Sequence, residues 1–432
     1  MIKAKTGNGG GHGKLVLASL ALALLPPLAQ GEESATTADT ERLFKQGIFL
    51  REQAKIYSSI EALETVLSNN PTLQRARLEL AVAYFRALDY ARATAEAQRV
   101  LDDPKTPDNV RLAVLAFMAQ IKRDEVALSA KPHNWNFSFD AGLQYDTNVN
   151  VGPSSTTLPG GLVLNPGSKP RSDWAGMTQI SAIHTYNSPF VVRIGESPTR
   201  FIWQSSASLY HKGYFREDDF NLTAVTLATG PGWIAPNQWR GKVNFQVDEL
   251  ALGDNRLGTF YSVSPTMTFL HKNGEINIEA LAMHKNFVRT VDQGRDADFF
   301  SAGASYGHIF LQGKLAAQIG AKGFSENAET LRFDNKGWEA FAGANASAWE
   351  KGGVYARYTY RKAKFKGEEP VFGIARKESE QRLEIGLTHT FSEGLLKDWK
   401  FSGNWQRTDT DSNVDIYTYA REVTGFSLSR MF

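Results

Sequence analysis

The sequence predicts an α+β multidomain chain, a short α-helical repeat array followed by a transmembrane antiparallel β-barrel of about 14 strands. Three observations carry that prediction. The first is a change of chemistry near residue 132: the chain before it is rich in Ala, Leu, Glu and Arg, and all nine tryptophans, Trp135 to Trp405, lie after it. The second is a change of hydrophobic period at the same place, from helical spacing to alternation. The third is the ending "GFSLSRMF" (Gly425–Phe432), which puts Phe426, Leu428 and Phe432 on one strand face and Gly425, Ser427 and Ser429 on the other. Arg430 interrupts the apolar face where a long cation reaches out to headgroups. A terminal strand this apolar needs an assigned partner, because open apolar edges pair with other chains.

Composition narrows the function classes. A net charge of +2 over 432 residues gives no basic field of the kind nucleic acid selects. With no cysteine, disulfides, thiol chemistry and lipidation on Cys are excluded. No run reaches the ~18 apolar residues of a membrane helix, so a spanning chain must cross with strands.

Residues 1–31 read as an export signal. Lys3, Lys5 and Lys14 precede an apolar core from Leu15 to Leu25, Pro26 and Pro27 break it, and Ala29-Gln30-Gly31 offers a small-residue cleavage site. The alternative is a buried helix of a cytosolic protein. "GNGGGHG" (Gly7–Gly13) is phosphate-loop-like, but it lies within this leader and lacks a strand–helix unit after it.

Residues 32–132 form the helical half, and they repeat. Gly47, Ala81 and Leu115 are spaced 34 residues apart, the period of a tetratricopeptide (TPR) array; an unrelated helical bundle is the alternative. The clearest copy is "LELAVAYFRALDYARA" (Leu78–Ala93). There Ala81 and Ala93, with Gly47 in the copy before, are the small residues where paired helices cross, and Tyr84 and Tyr90 fill the groove. The third copy, "NVRLAVLAFMAQI" (Asn109–Ile121), is a first helix only. By TPR geometry the concave face carries Phe44, Ile48 and Arg51, then Arg75, Val82 and Phe85, a surface suited to polypeptide segments. Packing of the neighbouring repeat is the bland alternative for its apolar members. Pro132 ends the last helix.

Residues 133–432 form a ladder of alternating segments. "NWNFSFDAGLQY" places Trp135, Phe137, Phe139, Ala141, Leu143 and Tyr145 on one face, and "QWRGKVNFQVDELAL" sets Val243, Phe245 and Val247 against Lys242, Asn244, Gln246 and Asp248. "GWEAFAGANASAW" and "QRLEIGLTHTF" alternate in the same way. A soluble β-sandwich also alternates. Aromatic residues at the ends of the apolar faces, charged opposite faces and segments of ~10 residues or more favour the membrane barrel. Closure then pairs the last strand (Phe426, Leu428, Phe432) with the first (Trp135, Phe137, Phe139), making these the seam strands.

The stretches "NNPTLQRARLELAVAYFRALDYARA" (Asn69–Ala93) and "WNFSFDAGLQYDTNVN" (Trp135–Asn150) resemble the surface lipoprotein assembly modifier (Slam) family. The likeness covers nearly all of the chain after the leader, and "YDTNVN" directly after a Trp-led first strand is its most specific part. The resemblance implies an outer-membrane translocator of a Gram-negative cell that delivers surface lipoproteins or secreted proteins. Its helical domain would face the periplasm and engage the client or a periplasmic chaperone. The barrel assembly machinery, reading the terminal Phe432, and outer-membrane lipid would be its other partners. This chain departs from longer members in its brief helical domain.

No enzyme signature is present. The histidines after the leader, His133, His184, His211, His271, His284, His308 and His389, have no metal-ligand spacing; His271 and His284 flank the "HKNGE" turn as the one pair able to face each other. Neither a G-x-S-x-G motif nor any cofactor signal appears. "REDDF" (Arg216–Phe220) and "DQGRDAD" (Asp292–Asp298) read as solvated turn charge before Ca²⁺ sites. "YDTNVNVGP" to "GSKP" (Tyr145–Pro170) reads as an extracellular or lumen-folded loop, with a hairpin loop that simply grew as the bland alternative. The expectation is therefore a non-enzymatic translocator, with a TPR-scaffolded porin for small solutes or exported polysaccharide as the alternative and an outer-membrane enzyme as a third reading.

Overall fold

The structure, a computed structural model, describes residues 35–129, 132–157 and 163–432. The expected export signal lies outside the described residues. Five helices lead: α1 (Ala35–Glu52), α2 (Ile56–Asn69), α3 (Gln74–Arg86), α4 (Tyr90–Asp102) and α5 (Asp108–Ser129). Two of the connecting turns are the same turn. Ala54 and Leu88 each adopt left-handed φ, 60° and 62°, as residues just past a helix end do. The following N–H reaches back five residues both times, Lys55 to the Leu50 carbonyl at 2.9 Å and Asp89 to that of Tyr84 at 3.0 Å. The α1/α2 and α3/α4 hairpins thus recur one 34-residue period apart. Asp89 also caps α4, accepting the Arg92 N–H at 3.1 Å.

Close approach within the first hairpin depends on Gly47. A Cβ there would sit 2.8 Å from Leu63 Cγ, and the Ser59 hydroxyl donates to the Gly47 carbonyl at 2.6 Å. Leu63, Val66, Ala76, Ala83 and Ala93 are fully buried around it. Helix α5 covers the second hairpin with Val114, Phe117 and Ile121, while Leu112 and Leu115 on its other side are exposed.

Four residues beyond Ser129 the chain enters a closed antiparallel barrel of fourteen strands. They are β1 (His133–Asp146), β2 (Asp173–Ile194), β3 (Ser197–Tyr214), β4 (Leu222–Ala235), β5 (Trp239–Leu252), β6 (Asn255–His271) and β7 (Gly274–Phe287). The second half holds β8 (Ala297–Phe310), β9 (Leu315–Ala328), β10 (Asn335–Trp349), β11 (Gly352–Glu369), β12 (Ile374–Thr390), β13 (Lys400–Ser412) and β14 (Tyr419–Met431). Each strand pairs with its sequence neighbours, and β14 returns to β1.

Register assigns each side chain to the outer or inner face. Outward on β1 are Trp135, Phe137 and Leu143, each half or more exposed; the row continues through Phe426 opposite Leu143 and Leu428 opposite Ala141. Inward are Ser138, Asp140, Gln144 and Asp146, opposite Ser181, Gln179, Ala175 and Asp173 of β2. The same division runs around the barrel, with Phe245, Val247, Ile278, Phe300, Ile319, Trp338 and Ile385 exposed on the outside. Apolar outside and polar inside is the fold of a membrane-spanning barrel of the outer-membrane type.

One end, the terminal end, holds His133, Phe432 and tight turns such as 195–196, 272–273 and 350–351; the other, the loop end, holds 147–157, 163–172, 215–221, 288–296 and 413–418. Aromatic rings gather outward at the terminal end. Trp135 lies 4.6 Å from His184 between ring centroids, His308 4.4 Å from Phe310, and the Trp349 indole N–H donates to His389 at 3.0 Å. Every histidine after residue 132 is on the outer face: His133, His184, His271, His308 and His389 at the terminal end, His211 and His284 toward the loop end. His271 and His284 do not face each other. His271 is opposite Gly274 and His284 opposite Tyr261, at the two ends of the β6–β7 hairpin, because a tight turn pairs residues symmetrically about itself.

Candidate functional site: the seam, the lumen mouth and the helical dock

The β1–β14 seam is closed along its length, from Ser138 opposite Met431 to Asp146 opposite Val423. Phe137 and Phe432 exchange backbone hydrogen bonds beyond it, at 2.8 and 3.3 Å. The loop end of the seam is pinned from inside. Asp146, fully buried, accepts from Arg421 Nε at 3.0 Å, from the Tyr214 hydroxyl at 2.8 Å and from the Asn148 N–H at 3.0 Å. Lys212 Nζ donates onward to the Tyr214 hydroxyl at 3.1 Å. Such a pair is retained in a buried place only because every lone pair has a donor.

"YDTNVN" then folds across the seam as a strap. The Thr147 N–H donates to the Glu422 carbonyl at 3.0 Å, and the Glu422 N–H to the Thr147 hydroxyl at 2.8 Å. The Asn148 amide donates to the carbonyls of Gly152, at 2.9 Å, and Ala420, at 3.1 Å, and its oxygen accepts the Gly152 N–H at 2.7 Å. On one side Val149 is buried with Ala175 and Tyr214. On the other, Val151 lines a cavity with Arg361, Glu378 and Thr410, all inward-facing residues of β11 to β13. Residues 147–152, which follow β1, are therefore folded into the lumen mouth.

Charge of both signs lines the lumen. Lys285 and Glu326 approach to 2.7 Å, Arg240 and Glu275 to 2.7 Å, and Lys322 and Glu339 to 3.3 Å. Arg357 lies 3.8 Å from the centroid of the Phe341 ring, and the Tyr355 hydroxyl donates to Glu384 at 2.8 Å.

At the terminal end the helical unit docks on the β2–β3 turn. Glu196 accepts from the Ser58 N–H and the Ser58 hydroxyl, both at 3.0 Å. Arg193 stacks 4.4 Å from the Tyr57 ring centroid and pairs with Glu61 at 3.6 Å. Burial pushes the Glu196 carboxyl up, but the two Ser58 bonds and the Arg193 charge outweigh it and hold the group below its ordinary value.

The residues expected on a concave helical face are placed unevenly. Phe44 lies in the apolar core, 2% exposed, with the Arg75 guanidinium over its ring at 5.1 Å. Arg51 is also buried and ion-paired to Glu79. These two lie inside the helical unit rather than on an open surface, because the second hairpin folds over them. Phe85 packs edge-on to Phe117 at 5.5 Å between centroids; Ile48 and Val82 are partly buried, and Arg75 is exposed. Gly47, Ala81, Tyr84, Tyr90 and Ala93 are all buried. Asp292 of the acidic loop is buried against Arg289, at 2.7 Å, and Arg295, at 2.8 Å, so its charge is internally matched. Among the described residues no group of three or more His, Cys, Asp or Glu is placed to hold a metal ion.

Sequence reasoning missed Ser58, Arg193, Glu196, Asn148 and the Asp146–Arg421 pair. Strand parity does put Asp146 inward at the end of β1, but its partner lies 275 residues on.

No family model and no curated protein matches the sequence. Solved structures resemble it at the level of barrel to barrel. The Acinetobacter baumannii OccAB4 structure is 10% identical, covering 71% of this chain and all of that one, with a TM-score of 0.33. The anion-selective porin from Comamonas acidovorans is 7% identical, covering 69% and 99%, with a TM-score of 0.38. A Pseudomonas aeruginosa FadL homologue is 9% identical, covering 71% and 92%, with a TM-score of 0.36. What the chain is, by its own geometry, is a closed fourteen-stranded membrane barrel headed by a short helical unit.

Proposed function

We propose that the chain is an outer-membrane channel for polar solutes, with the strap as its constriction. The observation that carries this reading is the division of faces: a lumen of mixed-sign charge inside an apolar wall whose seam is closed and pinned. Paired charges of both signs hold water and polar cargo without binding either sign tightly. The purified chain in planar bilayers is expected to conduct salt with no protein partner. A silent bilayer, from a barrel that gels show to be folded, would refute the channel.

A second reading is favoured by the docked helical unit. A repeat-like domain anchored on the rim by Ser58, Glu196 and Arg193 is more than a passive pore needs. In this reading the terminal end faces the periplasm, and the helical unit passes a surface lipoprotein or secreted protein to the barrel. Surface protease accessibility of candidate clients tests it, in cells with and without the gene and with Glu196→Gln. A client that stays periplasmic in both altered strains supports delivery. Clients that reach the surface in all three leave the channel reading alone.

A further inference from the structure

The strap and the β11–β14 wall together border a partly open cavity of about 160 Å³ inside the lumen mouth. Its lining is specific. Val151 borders one side, Tyr417 and Tyr419 supply aromatic walls, and Glu378 and Glu380, with Thr410 beside them, complete the polar side. Register holds them together, since Glu380 is opposite Thr410 and Thr410 opposite Tyr419.

The carboxylates are already matched. Arg376 lies between Glu378, 3.2 Å from its Nε, and Glu369, at 3.7 Å, Arg382 pairs with Glu380, and Arg361 lines the same cavity, so three guanidiniums meet three carboxylates. An amine or metal cation therefore meets no spare negative charge. Arg361 lies over the Phe324 ring, 4.5 Å from its centroid, so its charge leans toward β9 rather than standing free for an anion. Tyr417 is fixed from behind: the Arg376 guanidinium lies 3.9 Å from its centroid and 3.7 Å from that of Phe365.

A rigid aromatic wall and neutralised carboxylate acceptors suit a ligand with an apolar ring face and a rim of hydroxyls. We infer that this cavity binds a single neutral pyranose unit of a saccharide entering or leaving the lumen. The inference rests on the lumen being a solute path, and it adds a substrate class to that reading.

The test uses the full chain folded in detergent, titrated calorimetrically with D-glucose, D-galactose, D-mannose and N-acetyl-D-glucosamine, with bilayer conductance measured alongside. At least one sugar is expected to bind in the millimolar range, and Tyr417→Ala to weaken it about tenfold. Tyr417→Phe, which keeps the ring, should stay within about twofold of the parent. Tyr358→Ala, on the outer face, should change nothing. Heat-modifiable gel mobility verifies that each variant is folded. Absence of binding by all four sugars overturns the site, as does binding that Tyr417→Ala leaves unchanged. A barrel that conducts but ignores the sugars removes the site and keeps the channel. One that binds sugar through Tyr417 yet does not conduct keeps the site and removes the channel.

Discussion

At the scale of single residues, the most consequential group is Asp146. It is fully buried and holds Arg421, Tyr214 and the strap at once. Asp146→Asn leaves the Arg421 guanidinium without its counter-charge, and breaking a buried pair from one side costs about 3 kcal/mol. The folded-to-unfolded band conversion on heating should therefore move to lower temperature. Adding Arg421→Gln should restore part of the loss, because the two changes share one interaction. Gly47 is the matching point in the helical unit. Gly47→Leu forces a branched side chain against Leu63, whose Cγ already stands 2.8 Å from the position of a Cβ. Overpacking of this kind costs about 1–3 kcal/mol. The helical circular dichroism signal of that variant should melt earlier while the barrel band on gels is unchanged.

At the scale of elements, the β2–β3 turn decides where the helical unit sits. Glu196 is held below its ordinary value in the docked state, so docking is favoured above that value and weakens as pH falls through the lowered one. Spin labels on α2 and on the β8–β9 turn report this directly, and the absence of native cysteine makes labelling specific. Their distance distribution should be sharp at neutral pH and begin to broaden below about pH 4.3. In Glu196→Gln it should be broad throughout. The elements themselves were legible in the sequence for plain reasons. A barrel wall has lipid on one side and water on the other, so alternation survives in β1, β5, β10 and β12 whatever their neighbours are. The 34-residue recurrence likewise surfaced as Gly47 and Ala81, because a repeated close approach demands a repeated small residue. Glu196 gave no such signal: its partner is Ser58, which has no periodic reason to be there.

At the scale of the whole molecule, closure was legible, and a lumen-folded loop after β1 was among the readings, but the path of the strap was not. An apolar final strand with no soluble remedy for its edge implies a partner, and β1 is the one left over. The path of residues 147–152 depends on carbonyls of β14 and inner-face side chains of β2, β3 and β11 to β13, none of which leaves a local pattern. The concave-face expectation missed Phe44 and Arg51 for a related reason, since two hairpins and one added helix bury what a longer array would expose. Asn148→Ala removes the strap's bonds to Gly152 and Ala420, at a cost of about 1–3 kcal/mol for the groups left unpaired. Its bilayer current should be larger and noisier than the parent's, and an unchanged current would show that the strap does not narrow the path.

The outward placement of every histidine after residue 132 has a consequence for transport. Histidine is the side chain whose ordinary titration falls near neutrality, and here it borders lipid while the inner wall carries carboxylates, guanidiniums and amines. Whatever passes therefore meets no imidazole on the described inner wall. His184→Gln and His284→Gln should thus leave the pH dependence of conductance as it is in the parent, whereas a path gated by either ring would lose it.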